Sequence, residues 1–225
     1  MTSEGGELSR ETPTDEVPDR FVYDPDAPVA YWLYRSLGEL ASQLDDRRPV
    51  EARPDVLVYS TPPLTGDLEV VGPLSTTLYI SSSAPDTDFT AALVDVFPDG
   101  YAQLVQEGIV RVASLDGSDA TTTSDGELVR ELVVDMCATG HLFGSGHRVR
   151  LELSSSNFGR YDRNLNTGHT PGTDAQRATA AQTIYHDRRH PSHLSLPVIP
   201  ADHRPAPDAS SITDGGSQCE PAPHG

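Results

Sequence analysis

Lysine is missing altogether from the 225 residues: all 16 basic side chains are arginine, set against 22 Asp and 12 Glu, for a formal net charge of −18. A chain with so little positive charge repels phosphate backbones, which argues against nucleic acid as a partner. Long apolar runs are also missing. None approaches the roughly 18 residues that a membrane-spanning helix needs. The first residues, Met1 to Gly6, have neither a basic start nor an apolar stretch, so no secretory signal is expected. Cysteine occurs only twice, as Cys137 in an apolar stretch and Cys219 in a polar tail. Two such residues make no disulfide framework and read as free thiols, with a reducing cytoplasm as the expected compartment. Aromatic residues are scarce at 6%, with Trp32 the one tryptophan. Scarcity of aromatics argues against the exposed stacking platform of a glycan-binding sandwich.

Acidic residues are what the chain has in plenty. Carboxylates hold water and cations, and concentrated salt screens their mutual repulsion to within a few ångströms. With lysine absent, the composition is that of a surface adapted to high salt. Composition also shifts along the chain. Residues 1–20, rich in Glu, Thr, Ser, Pro and Asp, read as a lead-in or linker. Residues 201–225 are low in hydrophobics and carry the Gly215-Gly216 pair, which predicts a disordered tail. Between them, residues 21–200 form one domain, long enough to bury about 70% of its unfolded surface.

Within that domain the hydrophobic period is mostly two. Leu74, Leu78 and Ile80 share one face of a strand, and Val149, Leu151 and Leu153 alternate with His147, Arg148, Arg150 and Glu152. That pattern marks a strand with one buried and one wet face. Shorter strands are predicted at 56–60, 89–97, 101–105, 109–113, 128–135, 182–186 and 194–199. Pro98-Asp99-Gly100 and Ser124-Asp125-Gly126 supply turns between them. Helical spacing of Leu33, Leu37, Leu40 and Leu44 predicts a helix over 31–44, and a second short helix is expected over 173–181. Tyr31, Trp32 and Tyr34 would then form its buried or partner-facing side. Many short strands separated by turns specify an all-β fold, an antiparallel sandwich rather than an α/β sheet.

Chemistry-bearing motifs are few. An α/β-hydrolase nucleophile needs small residues around a strained serine, G-x-S-x-G, and no such pentapeptide occurs. Gly144-Ser145-Gly146 reads instead as a hairpin turn. His186, His190, His193 and His203 gather late, but no Cys or Glu completes a ligand set, so they read as loop and strand-edge residues. The pairs Asp45/Asp46 and Asp86/Asp88 lack a calcium loop's fixed offsets and read as turn residues. No glycine-rich phosphate loop follows a strand. No metal or cofactor is therefore expected.

Three stretches nevertheless carry a family likeness. One runs from Phe21-Val22-Tyr23-Asp24-Pro25 through Arg48-Pro49-Val50 to Asp55-Val56-Leu57-Val58-Tyr59. Another is Ser81-Ser82-Ser83-Ala84-Pro85-Asp86-Thr87-Asp88-Phe89-Thr90, continuing to Val94-Asp95-Val96-Phe97-Pro98-Asp99-Gly100. The most specific is Gly146-His147-Arg148-Val149-Arg150-Leu151, then Ser154-Ser155-Ser156-Asn157-Phe158-Gly159-Arg160-Tyr161-Asp162-Arg163-Asn164 and Asn166-Thr167-Gly168. Together with Tyr185-His186-Asp187 and Pro191-Ser192-His193-Leu194, these resemble the C-terminal domain of the X-Pro dipeptidyl-peptidase and cocaine-esterase-like acyl hydrolases. The resemblance covers about residues 5–200. It implies a jelly-roll sandwich, similar to galactose-binding domains, packed on an α/β-hydrolase domain that holds the Ser-Asp-His triad. All three triad positions lie upstream of the matched segment, so the resemblance implies a chain with no catalytic residue of its own, inactive alone and docking in trans on a hydrolase domain or subunit. A stand-alone ligand- or carbohydrate-binding module is the alternative, and homo-oligomers are compatible with either.

The residues expected to matter for structure or interdomain contact are Asp86, Asp88, Asn157, Arg160, Asp162, Arg163 and Asn164 within the matched stretches, and the apolar Tyr31 and Trp32. These two lie in a stretch (30–44) that matches the family poorly but whose counterpart in relatives lies against the hydrolase domain. Crowded donors and acceptors from Asn157 to Asn166 suit a loop that caps its own backbone and forms Arg–carboxylate forks. Gly159 stands where relatives are expected to carry proline, which predicts a looser turn.

Overall fold

The structure, a computed structural model, describes residues 6–30, 46–112, 120–122, 126–170 and 175–200. The predicted 31–44 helix, Tyr31, Trp32, His203, Cys219 and the 201–225 tail lie outside the described residues.

Twelve strands among the described residues form two sheets. The first runs in the order β1 (Gly6–Glu7), β3 (Leu57–Ser60), β9 (Arg148–Ser154), β5 (Asp88–Val96) and β6 (Ala102–Arg111). The second runs β2 (Asp19–Tyr23), β10 (Ala180–Tyr185), β4 (Leu68–Ser82), β8 (Leu128–Phe143) and β7 (Ala120–Thr122). Two short strands, β11 (His193–Ser195) and β12 (Val198–Ile199), also pair with β4. All pairings are antiparallel except β1 with β3. The all-β sandwich expected from period-two patterning is the fold.

The alternating residues meet between the sheets. Leu74, Leu78 and Ile80 from β4 and Val149, Leu151 and Leu153 from β9 are buried in one core with Phe89, Leu132, Phe143 and Ile184. Each large side chain so buried contributes about 1.5–3 kcal/mol. β5 is buried along its whole length, because it is central and covered on both faces. Its Phe89, Ala91 and Leu93 enter the main core, whereas Val94 and Val96 pack with Ala102. On the outer side lies a further small cluster of Val29, Val50 and Val56. Val50 belongs to α1 (Arg48–Glu51), the one α-helix among the described residues, with Pro49 in its first turn where the missing N–H costs nothing.

Several local expectations change. The strands predicted at 101–105 and 109–113 are one strand, β6, whose register shifts opposite Leu93/Val94. The stretch predicted at 194–199 is two short strands interrupted at 196–197. No helix covers the described part of 173–181. Residues 175–179 are irregular, and Ala180 and Ala181 open β10, because Gln182, Thr183 and Ile184 are drawn into the sheet beside β4 and β2. Pro73 lies within β4 where the β4–β8 register shifts between Pro73 and Ser75, a position that spares a ladder hydrogen bond. Cys137 is a free, exposed thiol, and its φ of 59° marks the matching irregularity in β8.

Candidate functional site

The outer face of the first sheet carries charge that the pattern alone assigns to solvent. Register places Glu152 (β9), Ala92 (β5) and Glu107 (β6) side by side on it. Both carboxylates are buried, at 3% and 4% exposure. The wet face expected for 147–153 is therefore wrong at Glu152, because α1 and its flanks cover that face.

Each carboxylate has its own guanidinium. Arg47, just before α1, forks Glu152 through Nε and Nη2, with Nη2 2.6 Å from Oε2. Arg150 likewise donates to Glu51 at 2.6 Å and to Ser60 Oγ at 2.8 Å. Burial is the largest influence on Glu152. Reinforced by the adjacent Glu51 and opposed by Arg47, it pushes the carboxyl up to about 7. Glu107 accepts from Asn157 Nδ2 at 2.7 Å and pairs with Arg160.

Loop 155–168 thus reaches across the sheet, and its sequence explains its shape. Ser156 Oγ accepts the Val29 amide at 2.9 Å, and the Phe158 amide donates to Val29 O at 2.7 Å. Gly159 adopts φ 102°, which proline cannot reach. The turn is closed by the Tyr161 amide on Asn157 O at 3.0 Å, so glycine shapes it rather than loosening it. Asn164 Nδ2 bridges Asp86 Oδ2 and Asp88 Oδ1, both at 2.9 Å, and Arg111 forks Asp88 at 2.8 and 3.0 Å. Tyr23, whose hydroxyl burial pushes up, donates to Asn164 O at 3.0 Å.

Of the residues singled out by sequence, Asp86, Asp88 and Asn164 form one cluster, and Asn157 and Arg160 meet on Glu107. Arg163 donates to Pro25 O at 2.9 Å and lies over the Phe158 ring, while Asp162 is exposed within the electrostatic reach of Arg111. Sequence reading missed Arg47, Glu107, Arg111 and Glu152. Their partners are 23 to 105 residues away in sequence, beyond any local signal.

A cleft lies over Ala92, between Arg47–Glu152 and Asn157–Glu107, with Val29 and Val50 along its wall. Its internal space of about 10 Å³ admits roughly one water molecule, far too little for a peptide or acyl group. The neighbouring serines are spent on structure: Ser154 Oγ donates to Asp55 O at 2.9 Å, and Ser155 Oγ accepts from Gln182 Nε2 at 3.1 Å. This arrangement holds a surface in shape through paired charges; it does not set a nucleophile beside a base.

Residues 2–195 match the family of the X-Pro dipeptidyl-peptidase C-terminal non-catalytic domain. The chain is 43% identical over 203 residues to cocaine esterase from Rhodococcus sp. (strain MB1 Bresler), covering 87% of this chain but 34% of that protein. Among solved structures it resembles an aminopeptidase from a marine sediment Thaumarchaeota archaeon, with a TM-score of 0.73 and 27% identity over 88% of this chain and 36% of the other. It also resembles an α-amino acid ester hydrolase, with a TM-score of 0.72 and 30% identity over 87% and 35%. The chain thus spans about a third of the length of the relatives it matches.

Proposed function

Because the chain belongs to the X-Pro dipeptidyl-peptidase C-terminal non-catalytic domain family, we propose that it docks on an α/β-hydrolase catalytic domain and shapes the entrance to that domain's active site. The observation that carries this reading is the 43% identity to cocaine esterase, which is confined to a third of that enzyme. The hydrolase would cleave an ester or an X-Pro peptide, with its triad outside this chain. Docking in trans, with the hydrolase domain on a separate subunit, is part of the proposal.

The outer layer of the first sheet supports a docking role. Ala30 bridges Phe158 and Asp46 bridges Gln103, so both described residues that flank 31–45 lie beside the ion-paired layer. Phe158 is 42% exposed there, with Arg163 over its ring. We assign Tyr31 and Trp32 to the interdomain contact. Asp86, Asp88, Asn157, Arg160, Asp162, Arg163 and Asn164 stiffen the loop behind it. The acidic, lysine-free surface suits a protein working in concentrated salt.

The test uses the catalytic domain of the Rhodococcus cocaine esterase, produced without its own C-terminal domain. Adding this chain should give a complex on size-exclusion chromatography and raise ester hydrolysis. Turnover of esters or Xaa-Pro anilides by the pure chain alone would sink the proposal, as would failure to bind.

A further inference from the structure

Away from this layer, four titratable side chains line up between the two sheets. Tyr59 (β3) donates its hydroxyl to Asp19 Oδ2 (β2) at 2.7 Å. The same Asp19 oxygen lies 3.0 Å from His186 Nε2, and His186 Nδ1 lies 3.0 Å from Glu16 Oε2. Each nitrogen of one imidazole therefore faces a carboxylate. An ionised carboxylate only accepts, and a neutral imidazole carries a single N–H. Only the imidazolium can donate to both, so the arrangement selects the charged ring.

The contacts belong to different parts of the chain. Glu16 lies on the arm, residues 8–18, that joins β1 to β2. Two backbone bonds also hold this arm: the Leu8 amide donates to Ser60 O at 2.9 Å, and the Arg188 amide to Thr14 O at 2.9 Å. His186 and Arg188 follow β10 directly, so side chain and backbone fasten the same stretch.

We propose that His186, as an imidazolium bridging Glu16 and Asp19, is a pH-dependent clasp that holds the 8–18 arm onto the sandwich and frees it when the ring loses its proton. The titratable groups facing the ring are Glu16 from the arm, Asp19 from β2 and Tyr59 from β3. Asp19 keeps its Tyr59 bond when the ring becomes neutral. Glu16, at 54% side-chain exposure, has water as an alternative partner and is the contact released. The hydrogen bonds to Asp19 and Glu16 raise the imidazole above its ordinary value, against the effect of burial. A raised imidazole gives stability that is fully present below about pH 6.5 and is lost as pH climbs through the folded value.

The test is an NMR titration of the full chain over pH 5–9, following the His186 ring and hydrogen exchange at the Arg188 amide. His186 is expected to stay doubly protonated to a higher pH than an ordinary imidazole. Protection of the Arg188 amide, corrected for intrinsic exchange, should fall several-fold as the ring titrates. In Glu16→Gln the ring should titrate at lower pH, and in Asp19→Asn lower still. His186→Gln should remove the pH dependence of the arm while leaving core amides protected. A neutral ring through pH 6–8, or arm protection that is level across the titration, overturns the clasp. Neither result bears on docking to a hydrolase domain.

Discussion

Gly108 in β6 packs directly against the backbone of β8 in the other sheet. A Cβ built there would lie 3.1 Å from Met136 Cα and 2.9 Å from the Asp135 carbonyl carbon of β8, and closer still to its oxygen. Ordinary carbon–oxygen contacts start at about 3.3 Å. The obstructing atoms are backbone, and a Cβ has no rotamer to escape into, so Gly108→Ala must push β6 and β8 apart by on the order of an ångström. A gap of 0.5–1 Å forfeits roughly a quarter to a half of each dispersion contact across it. Overpacking of a tight core costs about 1–3 kcal/mol, and this site belongs at the upper end, about 3 kcal/mol. For a domain of this size that lowers Tm by about 6–12 °C. The control is Gly140→Ala in β8, where nothing lies within 4 Å of the new methyl and the lower backbone entropy of the unfolded chain favours alanine. Thermal and urea unfolding followed by circular dichroism read both variants. If Gly108→Ala unfolds within about 0.5 kcal/mol of the parent, the close approach is not a constraint and the reasoning fails.

Other perturbations test the charged layer. Asn164→Ala removes the amide that bridges the buried Asp86 and Asp88 carboxylates and should cost about 1–3 kcal/mol in urea unfolding. The Glu152 carboxyl is raised, so its protonation adds stability at low pH that is lost as pH rises from about 4.5 through about 7. Glu152→Gln should lack this part of the pH profile, and its deficit, largest near pH 5, should narrow toward pH 8. An unchanged gap across that range would show the carboxyl to be ionised throughout. Trp32→Ala should weaken the complex with the catalytic domain by tenfold or more in calorimetric titration, as expected of a central aromatic anchor, while leaving Tm within a degree or two. Raising potassium chloride from 0.1 to 2 M should raise Tm, because the −18 surface is screened; a fall would refute adaptation to salt.

Local order was legible where a single rule suffices. Alternation in β4 and β9 specified both the strands and their buried faces, since a period of two has one meaning once one face is covered. Residues 144–146 and 98–100 announced their hairpins through glycine and proline. The 173–181 segment misled, because runs of Ala, Gln and Arg favour a helix until β2 and β4 supply edges for β10 to pair with. Glu152 misled more instructively. Its position alternated correctly, but only the fold brings α1 across that face and gives the carboxylate its Arg47 partner. Asn157, Arg160 and Asn164 could be singled out by type and crowding, and Asp86 and Asp88 through the family resemblance, whereas their pairing through Glu107 and Arg111 could not.

By itself, then, the sequence determined an acidic, lysine-free β-sandwich and its family, because composition, periodicity and motif similarity are properties of the chain read in order. The tertiary structure alone decided which charges are buried and paired, that Gly108 must lack a side chain, and that His186 stands between two carboxylates. Those facts depend on residues far apart in sequence meeting at distances of 3 Å, and no local pattern encodes such meetings.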